Sequence, residues 1–404
     1  MNLHAPALCR VRAITAFVSL TPDQTAWQHA LTDAKRQCDR LAAAFARADY
    51  TVQSVRIVAN PFGEYLDTTS LTAAKQGLAH IQRILSALNQ NGLRIRFAIG
   101  EARSATEIAL LPELIRDYGD LANACVNIAA DADGIPDHAQ IARCTAAVQK
   151  IARITPRGEG NFNFTVNYNC PPLIPYFPAG YHHDAHGSLV VGLETPDLLA
   201  AALRALNDQP ADPGDYLRAA YHAMHRALQH HSDAVQAIIA ATTLDDGWHY
   251  AGMDTSAAPS KNCTSMAEIY RLLRFGASGS IAASALLTRV FKTLNNVRAI
   301  GFSGLMLAVT EDQGLADASR DNTFDLRALL TYSSVCGIGL DTVPIPGDTP
   351  AEKINAIMAD TAAMAYRLNK PLTVRLFPVP GLKAGNSTRF ESDDLCNCAV
   401  LAVA

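Results

Sequence analysis

The feature that most constrains this chain is its rhythm: short apolar stretches alternate with longer amphipathic ones almost from end to end. The runs "VRAITAFVSL" (Val11–Leu20), "VQSVRIVAN", "LRIRFAIG", "ACVNIAA" and "FNFTVN" have the length and β-branched or aromatic content of strands. Helical patterns separate them at Gln24–Asp49, Ser70–Gln90, Ala105–Tyr118 and Asp137–Ile151. Such a chain pairs its strands mostly in parallel, because each helix returns the backbone across the sheet before the next strand begins. The rhythm resumes past the middle with "LVVGLE", a long helix over Asp212–Ala241, then "GWHYAGMD", "LMLAVT", "GLDTVP" and "PLTVRLFPVP", with helices at Asp325–Ser334 and Pro350–Leu368. That makes about ten strands at βα spacing. Periodicity alone leaves a closed barrel and an open, doubly wound sheet both standing.

The 404 residues are 49% hydrophobic and 18% charged, enough to bury a sizeable core. A formal net charge of −4 leaves no basic stripe to neutralise a phosphate backbone, which sets nucleic acid aside and points to a small-molecule partner. No apolar run approaches the roughly 20 residues of a membrane helix. The opening "MNLHAPALCRVRAITAFV" reads as a short lead into a strand, and not as a signal peptide. Nine scattered cysteines with no CxxC pair fit reduced thiols and a cytoplasmic address. No linker-like break interrupts residues 1–404, so a single domain is expected; homo-oligomerisation is left open.

Proline and polar residues crowd "NCPPLIPYFPAGYHHDAHGS" (Asn169–Ser188), which is therefore a long loop of the kind that tends to carry function. His182 on that loop can face a cleft and titrate near neutrality. Polar groups also stand at or just beyond strand ends: Asn167, Asn169, Asp254, Glu311, Asp312 and, within the last strand, Arg375. In parallel α/β architectures ligands bind beyond the carboxyl ends of strands. Asp254 and Asp312 suit turn or N-cap roles equally well. Asp341 has no helix to cap, and with Glu311 and Asp312 it could hold a hard divalent cation through oxygen ligands. The helix bearing His222, His225, His230 and His231 lacks a carboxylate at metal-site spacing and reads as a packed or solvated helix. Dinucleotide, P-loop and nucleophile-elbow signatures do not occur.

"AIGFSGLMLAVTEDQGLADA", "YSSVCGIGLDTVPIPGDTPAEKINAIMADTAAMAYRLNKPLTVRLFPVPGLKAG" and "NFNFTVNYNCPPLIPYFPAGYH" together resemble the domain of unknown function 711 family, also called uncharacterised protein family 0210. The resemblance runs from Val11 to the C-terminus and is strongest over residues 301–385. It implies a pyruvate formate-lyase-like fold, a ten-stranded α/β barrel. The positions that match the family's motifs are Asn167, Pro178, His182, Asp254, Glu311, Asp312, Asp341, Arg375 and Gly381. "GMDTSAAP" stands where a "DLSLAP"-like string is usual. Glycyl radical enzymes of that fold need a glycine beside an aromatic residue in a C-terminal loop and a cysteine at the barrel centre. Here the nearest candidates are Gly381, between Pro380 and Leu382, and Cys336, so radical chemistry is set aside.

The expectation is an enzyme of small-molecule metabolism that binds a polar, anionic substrate inside the barrel. Arg375 would clamp the anion with Asn167, Asn169 and Asp254 orienting it, and His182, Glu311 or Asp341 would move a proton. The alternative is a non-catalytic binding or sensor protein with the same pocket. Arg375, flanked by "LTV" and "LFPVP", is expected to be buried and paired with Asp341 or Glu311, since a lone buried guanidinium costs several kcal/mol. Gly337 and Gly339 would let the backbone thread a crowded place that points Asp341 inward.

Overall fold

The computed structural model describes residues 2–206, 212–274 and 279–403. The first half of the chain is regular βα repetition: β1 (Arg10–Val18), α1 (Trp27–Arg47), β2 (Val55–Ala59), α2 (Leu71–Leu88), β3 (Ile95–Glu101), α3 (Ala105–Tyr118), β4 (Asn123–Ile128), α4 (His138–Ile154) and β5 (Phe164–Tyr168). The second half is looser, with β6 (Gly187–Glu194), α5 (Pro196–Arg204), α6 (Pro213–Ala240), β7 (Trp248–Asp254), α7 (Met266–Leu272), α8 (Ser280–Lys292), α9 (Gln313–Arg320), α10 (Leu326–Ser333), β8 (Gly339–Pro346), α11 (Ala351–Arg367) and β9 (Leu372–Val379). Helix starts follow side-chain capping. Ser104 and Glu107 form a capping box on α3, and Ser70, Asp137 and Asp325 cap α2, α4 and α10. Among the described residues no helix is long and apolar enough to cross a membrane.

The strands form one sheet in the order β7-β6-β1-β2-β3-β4-β5-β9-β8. β1 to β5 pair in parallel, as do β6 with β7 and β8 with β9; the two junctions, β1 with β6 and β5 with β9, are antiparallel. The mostly parallel α/β reading therefore stands, while the ten-stranded closed barrel does not: there are nine strands among the described residues and the sheet is not closed.

The missing tenth strand is "LMLAVT". Its backbone groups are committed to non-repeating partners, which a ladder cannot tolerate. Asp254 takes the amides of Phe302 and Ser303, the Leu305 carbonyl accepts from Gly337, and the Thr310 amide goes to the Thr342 hydroxyl. Gly301 and Ser303 both have positive φ, and Gly304 crosses so close to Gly337 that a Cβ there would lie 2.7 Å from the Gly337 Cα. What remains of pairing is one bridge at each end, Met253 with Ala299 and Ala308 with Asp341. The sheet thus curls until both of its edges touch the same irregular segment, residues 299–308.

The core lies between sheet and helices. Ile14, Ala16, Ile57, Phe97, Val126, Val166 and Val374 belong to one large buried cluster with the helices. The alternate residues on the same strands point the other way, into the concave side, as strand periodicity requires. There Phe17, Val58, Ala98, Val190 and Ala251 form a small apolar floor. Above it the concave side turns polar.

Candidate functional site

A cavity of about 150 Å³ occupies the concave side. The strands β1 to β5 supply Arg12, Arg56, Arg96, Asn123 and Thr165, near their amino-terminal ends; β8 and β9 supply Asp341, Thr373 and Arg375. The antiparallel pairing of β5 with β9 sets Val166 opposite Val374 and so brings Arg375 level with Thr165. The irregular segment closes one side with Phe302, Met306, Ala308 and Glu311, and the middle loop enters with Tyr176, Phe177, Pro178 and Ala179. A second hollow, beside the Ala42, Ala43 and Ala46 face of α1, is an open surface groove.

Arg375 is 5% exposed and its three nitrogens are all engaged. Nε donates to Asp341 Oδ1 at 2.8 Å, Nη1 donates to the Phe162 carbonyl at 3.2 Å, and Nη2 pairs with both Glu311 and Asp341. The Phe162 ring covers the guanidinium at 5.0 Å. Two carboxylates thus share one cation. Burial raises the Asp341 pKa; Arg375 opposes that and the charge of Glu311 adds to it. The same two carboxylates hold Arg375 firmly charged despite its burial.

Arg56 is 8% exposed and differently placed. Its Nε reaches the Ser54 hydroxyl at 3.2 Å and its Nη1 the Pro175 carbonyl at 3.4 Å, both neutral acceptors. The rings of Phe177 and Tyr176 lie 5.2 and 6.0 Å from its Cζ. In the parallel register its neighbours are Thr15 on β1 and Arg96 on β3. Burial, then the nearby Arg12 and Arg96, push its pKa down to about 9, still well above neutrality. Arg12 bonds Gln53 at 2.9 Å. Among the described residues neither Arg12 nor Arg56 has a carboxylate within ion-pair distance, whereas Arg96 holds Asp394 at 2.8 Å.

Glu311, Asp341 and Arg375 are brought together as reasoned above, but Arg375, expected as a substrate clamp, already has its fork filled by carboxylates. Asn167, Asn169, His182 and Asp254 do not line the cavity. The amide of Asn167 donates to Asn127 and the Ala179 carbonyl, and Asn169 meets Asn369 near the surface. His182 donates from Nε2 to the Val18 carbonyl at 2.7 Å, and burial lowers its pKa. Asp254 is consumed by the Ser256 hydroxyl and the amides of Ser256, Phe302 and Ser303, which makes it the anchor of the irregular segment. Asp312 caps α9 through the Leu315 amide and also accepts from Met266 at the start of α7.

Of the cation set Glu311, Asp312 and Asp341, Asp312 is held by helix amides, and the guanidinium of Arg375 pairs with the other two. Among the described residues no three His, Cys, Asp or Glu side chains group as a metal site would require. Of the histidine helix, His231 bonds Tyr50 and the Leu3 carbonyl, and His225 bonds the Thr293 carbonyl. Cys336 is buried and its sulfur accepts from the Gly339 amide; Gly381 lies on an exposed turn after β9.

Arg12, Arg56 and Arg96 escaped the sequence reading. Their signal was present: in "SVRIVAN" and "RIRFAIG" an arginine alternates with buried apolar residues, the pattern that marked Arg375.

A family model described as "Uncharacterised ACR (DUF711)" matches residues 5–391. Curated relatives include the UPF0210 proteins of Pyrobaculum arsenaticum, 33% identical over 251 residues, Pyrobaculum islandicum, 26% over 362, and Limosilactobacillus fermentum, 29% over 361. These alignments cover 59%, 87% and 84% of this chain and 55%, 77% and 75% of those proteins, so the chain spans about half the length of the first. Among solved structures, an anaerobic ribonucleotide reductase aligns over 92% of this chain and 71% of its own, at 9% identity and a TM-score of 0.38. The Thermotoga maritima enzyme aligns over 92% and 81%, at 9% identity and 0.36. Likeness that distant assigns no chemistry to this cavity.

Proposed function

The chain belongs to the DUF711 (UPF0210) family, and from that premise we propose that it is an enzyme of small-molecule metabolism that holds an anionic substrate in the concave cavity and moves a proton on it. Arg56 carries the reading. A buried guanidinium with only neutral partners keeps an unmet demand for negative charge, which an anionic ligand satisfies at the cavity wall. Arg12 stands beside it with no carboxylate of its own.

Glu311 is the proton-transferring group. Its side chain is 16% exposed against 7% for Asp341, so of the two carboxylates it is the one a substrate in the cavity can reach. Arg375 positions both and opposes the rise that burial gives the Asp341 pKa. Asp341, whose pKa burial raises, stands behind Glu311 on the same guanidinium. The arrangement suits proton abstraction or delivery close to an anchored anionic group, which is non-radical acid/base chemistry. A binding or sensor protein would need Arg56 but has no use for two carboxylates held on one arginine, and this observation favours the enzyme.

The test is substrate-agnostic turnover. A metabolite extract incubated with the full chain should show one anionic species consumed and another formed by mass spectrometry, and Glu311→Gln should abolish the change. Equal consumption by wild type and Glu311→Gln would remove Glu311 from the chemistry.

A further inference from the structure

The anion that this cavity takes can be narrowed by charge and spacing, an inference that rests on the anion-binding reading above. Arg12, Arg56 and Arg96 come from three successive parallel strands, and neighbouring strands lie about 4.8 Å apart. Arg56 and Arg96 are direct register partners. Like charges set opposite one another across a ladder are destabilising, so such a row persists where something neutralises it. Asp394 neutralises Arg96, at one end. Arg12 and Arg56 are left with two positive charges and, among the described residues, no carboxylate within ion-pair distance; Glu311, across the cavity, acts on Arg56 only through space.

A lone carboxylate would cancel half of that. Its two oxygens can serve one guanidinium in a fork, or reach two with one oxygen each. A phosphate monoester is nearly dianionic at neutral pH and offers three acceptor oxygens on one centre. It can therefore bridge guanidinium groups on adjacent strands while matching their charge. The space agrees, since about 150 Å³ holds a phosphate group and only a few further heavy atoms. Tyr176 and Phe177 shield Arg56 from solvent, which strengthens its attraction for such a group.

We infer that the ligand is a small phosphate monoester whose phosphate sits on Arg56 and Arg12, with its organic end directed at Glu311. Asp394 is then a competitor for the row: it is 37% exposed, lies on the segment that follows β9, and occupies the arginine next to the phosphate.

Isothermal titration of the full chain with methyl phosphate, sulfate, malonate and acetate, at low ionic strength, tests this. Methyl phosphate should bind roughly tenfold or more tightly than acetate at pH 7.5. It should weaken as pH falls through about 6, where the monoester gains its second proton, while sulfate, ionised throughout, should change less. Arg56→Met should lose methyl phosphate binding. Should that variant not fold, Asp394→Asn serves, and is expected to bind methyl phosphate several-fold more tightly than wild type. Acetate or malonate binding as tightly as methyl phosphate would overturn the phosphate assignment and leave the anion site standing. If none of the four binds the wild type, the anion site falls with it.

Discussion

Two arginines line the same cavity, one from β2 and one from β9, both about nineteen-twentieths or nine-tenths buried, and the protein treats them in opposite ways. Arg375 is saturated by Asp341, Glu311 and the Phe162 carbonyl. Arg56 has a serine hydroxyl, one carbonyl and two aromatic rings. A buried charge with its partners in place is part of the scaffold; a buried charge without them is a demand kept open for something else. The difference teaches that burial alone does not mark a binding residue, and that the partner list does.

The comparison breaks most visibly if Arg375 is removed. Arg375→Met leaves two buried carboxylates side by side, and breaking such a pair should lower stability in urea unfolding by about 3–5 kcal/mol at neutral pH. The loss should shrink in acid. Without Arg375 the folded-state pKa of Asp341 rises further above its unfolded value, so folding then favours the protonated form. The variant's stability is best below the ordinary carboxylate pKa and declines as pH rises through the raised one. A deficit that stays constant from pH 4 to 8 would detach Arg375 from the carboxylates.

Glu311→Gln sharpens the comparison at smaller cost, because the amide oxygen still accepts from Arg375 while the charge is gone. We expect about 1 kcal/mol or less in the same experiment, alongside complete loss of turnover. A large destabilisation would mean that Glu311 is scaffold in the way Arg375 is.

The smallest effect concerns a buried base that resolves its burial by a third route. His182, away from the cavity, gives up its charge: burial lowers its pKa, with the Val18 carbonyl opposing. The unfolded state therefore binds more protons below the usual histidine value, so the stability His182 contributes is present above about pH 6.5 and is lost as pH falls through the lowered folded value. His231 acts in the same direction. His182→Gln should flatten the acid limb of a stability-against-pH curve by less than 1 kcal/mol, and an unchanged limb would show that His182 does not titrate on unfolding.

Most of the frame was legible in the sequence, because the strands and helices that form are the ones whose local pattern and distant packing agree. "LMLAVT" shows the converse. It has the composition of a strand, yet Asp254, Gly337 and Thr342, each at least 27 residues away in the chain, claim its neighbourhood, and no local pattern records that. The sequence reading placed the site at the carboxyl ends of the strands. Asn167 and Asp254 do lie at carboxyl ends, as the rule for parallel sheets directs, but in this sheet the cavity draws on the amino-terminal ends of β1 to β5. Arg375 was found by asking how a guanidinium in an apolar strand escapes its burial. Arg56 asks the same question in "SVRIVAN", and only the tertiary fold could show that its answer is different.

The central claim is that Arg56 is held unpaired for a ligand, and thermal melting of wild type and Arg56→Met, each with and without methyl phosphate, tests it most directly. Removing an uncompensated buried charge should make the ligand-free variant melt higher than wild type, and the rise that methyl phosphate gives the wild type should vanish in the variant. A variant that melts lower than wild type and is still stabilised by methyl phosphate would contradict the account.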